Sequence, residues 1–120
     1  MFAYRKLKVY QKSLQWVIDV YNLTSTFPTA EKFALTNQIQ RAAVSVTSNI
    51  AEGSGRTSTK DSIHFLEISF GSLMEAQSQL EIAALLNYIS KEQLTSIECK
   101  TEEIAKMLSG LKSAKSRNSN

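Results

Sequence analysis

Leu94, Ile97, Thr101, Ile104, Leu108 and Leu111 recur at spacings of three and four residues, which puts all six on one face of a helix. Such a stripe must be buried against a partner, and three further segments carry stripes of their own. The first helix is predicted from about Lys8 to Ser25, with Tyr10, Leu14, Val17 and Tyr21 on one face. Trp16, Ile18, Val20 and Leu23 form a second apolar flank, and Phe27-Pro28 ends the segment, because a residue before proline avoids the α region. The second helix is predicted to start at Thr29 as N-cap, with Glu31 in its first turn. Leu35, Ile39, Ala42, Val46 and Ile50 are its stripe, and Gly53 and Gly55 stop it. The third opens at Ser58, with Asp61 three residues on, and ends near Asn87-Tyr88. Leu66, Phe70, Leu73, Leu80 and Ala84 form its stripe, extended by Ile63. Ser90 and Gln93 make a capping box for the fourth.

Four amphipathic helices with short connections predict an all-α chain, an antiparallel up-down-up-down four-helix bundle over residues 1–111. Residues 112–120 read as a polar, basic, disordered tail. The 120 residues suit one domain, and a single Pro with four Gly argues against an all-β fold. One Cys excludes an internal disulfide and a multi-cysteine zinc site, and one His excludes any site needing two. Nothing resembles a signal peptide or a membrane span, so the expectation is a cytoplasmic protein with no membrane partner.

The net charge is only +3, but its distribution is uneven. In such a bundle one end gathers residues 1–12, 54–61 and 112–120, which carry four, one and three positive charges, eight in all. That end could hold a nucleic-acid backbone. Equally, basic segments could serve solubility and favour helix C-termini. Phe2, Tyr4 and Tyr10 lie among these cations, where they could stack on bases or simply cover the bundle end. Conversely, Phe33 to Ala51 contains one charged residue, Arg41, and Ile68 to Met74 and Ile82 to Ser90 contain none. Ala42, Ala43, Ser45, Gly71 and Ser72 are small enough for close helix approach. The inference is a homo-oligomer packed through the second and third helices, against a weakly charged but bare surface.

Ser48, Asn49, Glu52, Gly53 and Gly55, followed by Arg56, form the most distinctive stretch. Glu52 opposes the helix dipole and needs compensation from Arg41, Arg56 or backbone donors. The stretch is either a polar recognition corner or a network fixing the turn into the third helix. It lacks the P-loop pattern. His64 and Glu67 have the reverse order of a di-iron motif, with no second His, and Arg56 and His64 are too far apart for a HEPN-type ribonuclease. Cys99 is a lone thiol. No catalytic constellation, metal site or cofactor motif emerges.

Val9-Tyr10-Gln11-Lys12-Ser13, Phe27-Pro28, the run Gln38 to Val46, Ser48-Asn49-Ile50-Ala51-Glu52-Gly53, Gly55-Arg56 and Phe65-Leu66 form a recognisable pattern. Gly71-Ser72, Glu75 and Gln79-Leu80 continue it. The pattern resembles the four-helix-bundle proteins encoded by intervening sequences of bacterial 23S ribosomal RNA genes, from Phe2 to Ile89, and weakens in the fourth helix. The resemblance implies a bundle assembled as a ring, typically a pentamer, with no catalytic residues. The family is also similar to accessory proteins of diversity-generating retroelements, which bind nucleic acid and a reverse transcriptase through a basic barrel. Arg41 and Arg56 match basic positions of the pattern, and Lys8 and Lys12 its basic start. The expected function is non-enzymatic binding of structured nucleic acid, RNA favoured, through Arg5, Lys8, Lys12, Arg41, Arg56 and Lys60, with the C-terminal tail assisting. The alternative is a protein-interaction scaffold using the uncharged surface of the second and third helices.

Overall fold

Four helices dominate residues 2–118, the part described by this computed structural model: α1 (Lys8–Thr24), α2 (Leu35–Ser54), α3 (Thr59–Leu85) and α4 (Lys91–Arg117). Two short 3-10 turns, Ala3–Lys6 and Thr29–Glu31, precede α1 and α2. Contacts between neighbours run in opposite order along the chain. Lys12, Trp16 and Asp19 of α1 meet Glu103, Thr101 and Lys100 of α4. Gln38, Ser45 and Val46 of α2 meet Gln79, Ser72 and Ser69 of α3. Glu67 and Gln77 of α3 meet Lys112 and Glu98 of α4. This is the expected antiparallel bundle, 49 × 24 × 22 Å. The starts of α1 and α3 and the ends of α2 and α4 share one end, referred to below as the basic end.

The core follows the predicted stripes in three helices. Ile39, Ala42, Val46 and Ile50 of α2, Leu66, Leu73 and Leu80 of α3, and Ile97, Ile104 and Leu108 of α4 are buried. Ala43, Ala76 and Ala83 fill the closest approaches. Thr101, the one polar residue of the α4 stripe, accepts the Trp16 indole N–H at 3.0 Å and donates its own hydroxyl to Ile97 O. The buried pair therefore leaves neither group unsatisfied. In α1 the inward face is Val9, Ser13, Trp16 and Val20, not the stripe through Leu14 and Tyr21. Leu14 and Tyr21 point outward with Ile18, because the large Trp16 takes the core position and sets the rotation of the helix.

The helix ends differ from expectation at two places. Thr29 does not cap α2. It opens the separate 3-10 turn, and α2 begins six residues later without a side-chain cap from Ala34. Glu31 supplies the missing acceptor, taking the Leu35 N–H on one oxygen and the Tyr88 hydroxyl, at 2.8 Å, on the other. At the far end of the sequence, α4 continues through Lys112–Arg117, where a disordered tail was expected. Lys112 is held there by Glu67 at 2.9 Å. The last two residues of that predicted tail, Ser119 and Asn120, lie outside the described residues.

The remaining caps match the sequence. Ser58 accepts the Asp61 N–H at 3.2 Å, and Ser90 and Gln93 form a complete capping box. Asn87 ends α3 with φ 64°, in the left-handed region that asparagine tolerates. Tyr88 and Asn87 N–H groups then bond back to Ala83 O and Ala84 O, closing a Schellman turn.

Candidate nucleic-acid interface

At the basic end the chain enters as a folded turn. Arg5 N–H bonds to Phe2 O and Leu7 N–H to Tyr4 O, while the Gln11 amide donates to Arg5 O at 2.8 Å. This turn packs against both α1 and α2. Tyr10 rests on the core, Tyr4 meets it edge-on at 4.9 Å, and Phe2 lies nearly parallel to Tyr4 with ring centres 5.8 Å apart. The Arg5 guanidinium sits 5.1 Å over the Phe2 ring. No acid occurs before Asp19. Arg5, Lys6 and Lys8 are exposed, and among the described residues none has a carboxylate within 4.0 Å.

The six residues singled out as cationic contacts divide into three groups. Arg5, Lys8 and Lys60 are exposed cations without a carboxylate partner among the described residues, Lys60 standing on the first turn of α3. Lys12 and Arg56 are at the same end but are each tied to an acid. Lys12 pairs with Glu103 at 2.7 Å. Arg56 pairs with Glu52 at 3.1 Å and lies 4.6 Å over the Phe65 ring. Arg41 is the outlier. It sits mid-helix, about 22 Å along α2 from Arg56 at the usual helical rise, beside Tyr21, Asn37 and Val44. The basic end does not include it. Lys6, Lys115 and Arg117, absent from the six, belong there instead, and the helical continuation of α4 brings the last two.

The Ser48-to-Arg56 stretch mostly builds the α2–α3 corner. Asn49 donates to Ser45 O and Oγ, and Ser45 in turn bonds Ser72 of α3 at 2.8 Å. Gly53 lets the two backbones close, and Gly55 ends α2 with its N–H on Glu52 O. Glu52 finds its compensation in Arg56, one of the three candidate partners. Ser48 is exposed on the outer face of α2, in the same depression as Arg41. The small residues read as an allowance for oligomer contact are thus largely spent within the chain. Ala42 and Ala43 are buried between helices, and Ser45 bonds Ser72, while Gly71 stays open with nothing near it.

Two apolar stripes remain on the outside. Leu14, Ile18 and Tyr21 follow one line of α1, and Ile68, Met74, Ile82 and Leu85 project from α3. The outer face of α2 carries Asn37, Arg41 and Ser48 with one exposed apolar residue, Val44, in the same depression as Tyr21. Among the described residues no helix is long and apolar enough to cross a membrane, and no group of three or more acidic, His or Cys side chains is placed to hold a metal. Cys99 is exposed on α4.

The profile of the 23S rRNA-intervening sequence protein family matches residues 5–110, from the basic turn to the end of the core. The chain belongs to that family. A crystal structure of a protein of unknown function from the S23 ribosomal protein family of Bacteroides thetaiotaomicron is similar to this chain, with 32% identity and a TM-score of 0.79. The similarity covers 86% of this chain and 96% of that one, so it extends over nearly the whole bundle. Among curated proteins nothing matches. The family match runs through α4, where the sequence pattern alone had weakened.

Proposed function

We propose that this chain is a cytoplasmic, non-enzymatic, homo-oligomeric bundle that binds structured RNA through its basic end. The observation that carries the reading is the set of exposed cations without carboxylate partners, Arg5, Lys6, Lys8 and Lys60, gathered where α1 and α3 begin. A phosphate backbone supplies the missing negative charge and gains from releasing its condensed counterions. The apolar residues exposed on α1 and α3 support self-assembly, since clustered exposed apolar side chains favour a covering surface. Assembly as a ring, five subunits by resemblance, multiplies weak contacts into useful affinity.

The alternative, a protein scaffold, draws on the α3 stripe alone, through Ile68, Met74, Ile82 and Leu85. Light scattering joined to a salt-titrated binding assay on structured RNA separates the two. An oligomer whose affinity falls steeply on a log–log plot against salt supports RNA binding. An oligomer that binds neither RNA nor DNA at low salt sinks it and favours the scaffold.

A further inference from the structure

We infer that Phe2 and Tyr4 form a stacking platform for an unpaired nucleobase, so that the basic end selects loops and single-stranded RNA over uninterrupted duplex. The inference rests on the RNA-binding reading above and names which part of an RNA that end takes. The aromatic residues here have two different fates. Tyr10 packs on the core and Tyr4 leans on it edge-on, so these two do cover the bundle end. Phe2 adds nothing to that cover. It lies flat on Tyr4, at an interplanar angle of 15°, and keeps 63% of its surface exposed. An exposed phenyl ring held in one orientation forgoes the gain of burial, and a flat partner would recover it.

The ring already holds a stand-in for that partner. The Arg5 guanidinium, planar and cationic, lies 5.1 Å over it. A base arriving on Phe2 takes that place, and the freed guanidinium reaches the adjoining phosphate alongside Lys6 and Lys8. The platform is prepared in advance, because the Gln11 amide and two backbone hydrogen bonds fix the turn that carries it. Little ordering is then left to oppose binding. Arg56 over Phe65 looks similar but differs in kind. Phe65 is half-buried beside Gly53, and Arg56 is tied to Glu52, so that ring offers no open face.

A duplex cannot use such a platform, because its bases are stacked on one another and its deep groove is closed to side chains. An unpaired base presents a whole face, and a stack on an aromatic ring is tolerant of base identity. The site therefore discriminates by pairing state rather than by sequence.

The test compares a hairpin RNA, carrying 2-aminopurine in its loop, with a fully paired duplex of equal phosphate number at one salt concentration. The wild-type protein is expected to prefer the hairpin by about tenfold, the scale of one base stacked on an aromatic ring, and to quench the 2-aminopurine. Phe2→Leu should bring hairpin affinity down to the duplex level and abolish the quench. Phe2→Trp should keep both. Light scattering on each variant checks that assembly is intact. Equal binding of hairpin and duplex, or a hairpin preference that survives Phe2→Leu, overturns the platform while leaving the basic-end reading in place. Binding of neither RNA at low salt overturns both.

Discussion

Gly53 of α2 stands directly over Ser62 of α3: a Cβ added to Gly53 would lie 3.1 Å from Ser62 O and 3.1 Å from Phe65 Cβ. Both obstacles belong to the body of a helix and yield poorly. Alanine would gain helix propensity of about 1 kcal/mol but press the two helices apart, which costs about 1–3 kcal/mol. Gly53→Ala should therefore lose about 1 kcal/mol net in urea unfolding. Gly55→Ala meets only backbone oxygens at ordinary contact distance, Glu52 O at 3.6 Å being the nearest, and should be neutral or slightly stabilising. The contrast between neighbouring glycines makes backbone approach, rather than loop freedom, the measured quantity.

Thr101 is the polar member of an otherwise apolar stripe because Trp16 needs an acceptor inside the bundle. Thr101→Val keeps the shape but strands a buried indole N–H, so it should cost about 1–3 kcal/mol. Thr101→Ser retains the acceptor and loses only a methyl, about 1 kcal/mol. A valine variant as stable as the wild-type protein would show that the bond contributes nothing.

These two contacts mark what the sequence could and could not reveal. Helical spacing in α2, α3 and α4 located the core, and caps such as Ser90 with Gln93 located the helix starts, because both are local signals. The rotation of α1 was ambiguous, since Leu14 and Ile18 continue the apolar pattern around Trp16 and only tertiary packing decides which face turns in. Glu31 acting at the start of α2 was invisible for a related reason, as its other partner, Tyr88, is 57 residues away. The basic end was legible from charge alone once antiparallel helices were assumed. Arg41 was drawn into it by family pattern, although fifteen residues of chain separate it from Arg56. Glu52 and Arg56 are four residues apart, a spacing that pairs them on a helix, but the tie of Lys12 to Glu103 crosses from α1 to α4, where no spacing rule applies.

That last distinction orders the effects of charge substitution on RNA binding. Among the described residues Lys8 has no carboxylate within 4.0 Å, so Lys8→Gln should weaken binding for all RNA sequences alike and lower the salt slope by about one for each phosphate no longer neutralised. Lys12 is paired with Glu103 at 2.7 Å, and Lys12→Gln should do less. Glu103→Gln releases Lys12 and should strengthen binding. Fluorescence anisotropy across a salt series measures all three, and an equal loss for Lys8 and Lys12 would contradict the role given to the ion pair.

Two groups give the fold opposite pH dependences. The Lys112 hydrogen bond, reinforced by the ammonium charge, holds the Glu67 carboxyl below its ordinary value of 4.5. Its contribution is complete above that value and is lost as pH falls through the lower folded value. The Tyr88 hydroxyl donates to Glu31, which raises its pKa above 10.0. Its contribution is complete below 10.0 and is lost as pH rises through the higher folded value. Glu67 is exposed and Tyr88 only half-buried, so the effects should be small. In NMR titrations Lys112→Met should move Glu67 upward to the ordinary carboxylate range. Tyr88→Phe should remove part of the alkaline loss of stability and leave the acid limb unchanged.

The two outer stripes lead to a prediction about the proposed ring. Ile18 on α1 is 53% exposed and Ile82 on α3 is 47% exposed, and α2 separates the lines they stand on. A two-fold contact between like patches would cover one stripe and leave the other wet. A head-to-tail contact of the α1 stripe on the next subunit's α3 stripe covers both, and such contacts give a ring where the rotation between subunits closes. Ile18→Glu and Ile82→Glu should then each give monomers with unchanged helix content. Mixed together, each variant still owns the stripe the other has lost, so one sound interface can form and light scattering should find a dimer. If either variant alone still forms dimers, the contact is two-fold rather than head-to-tail.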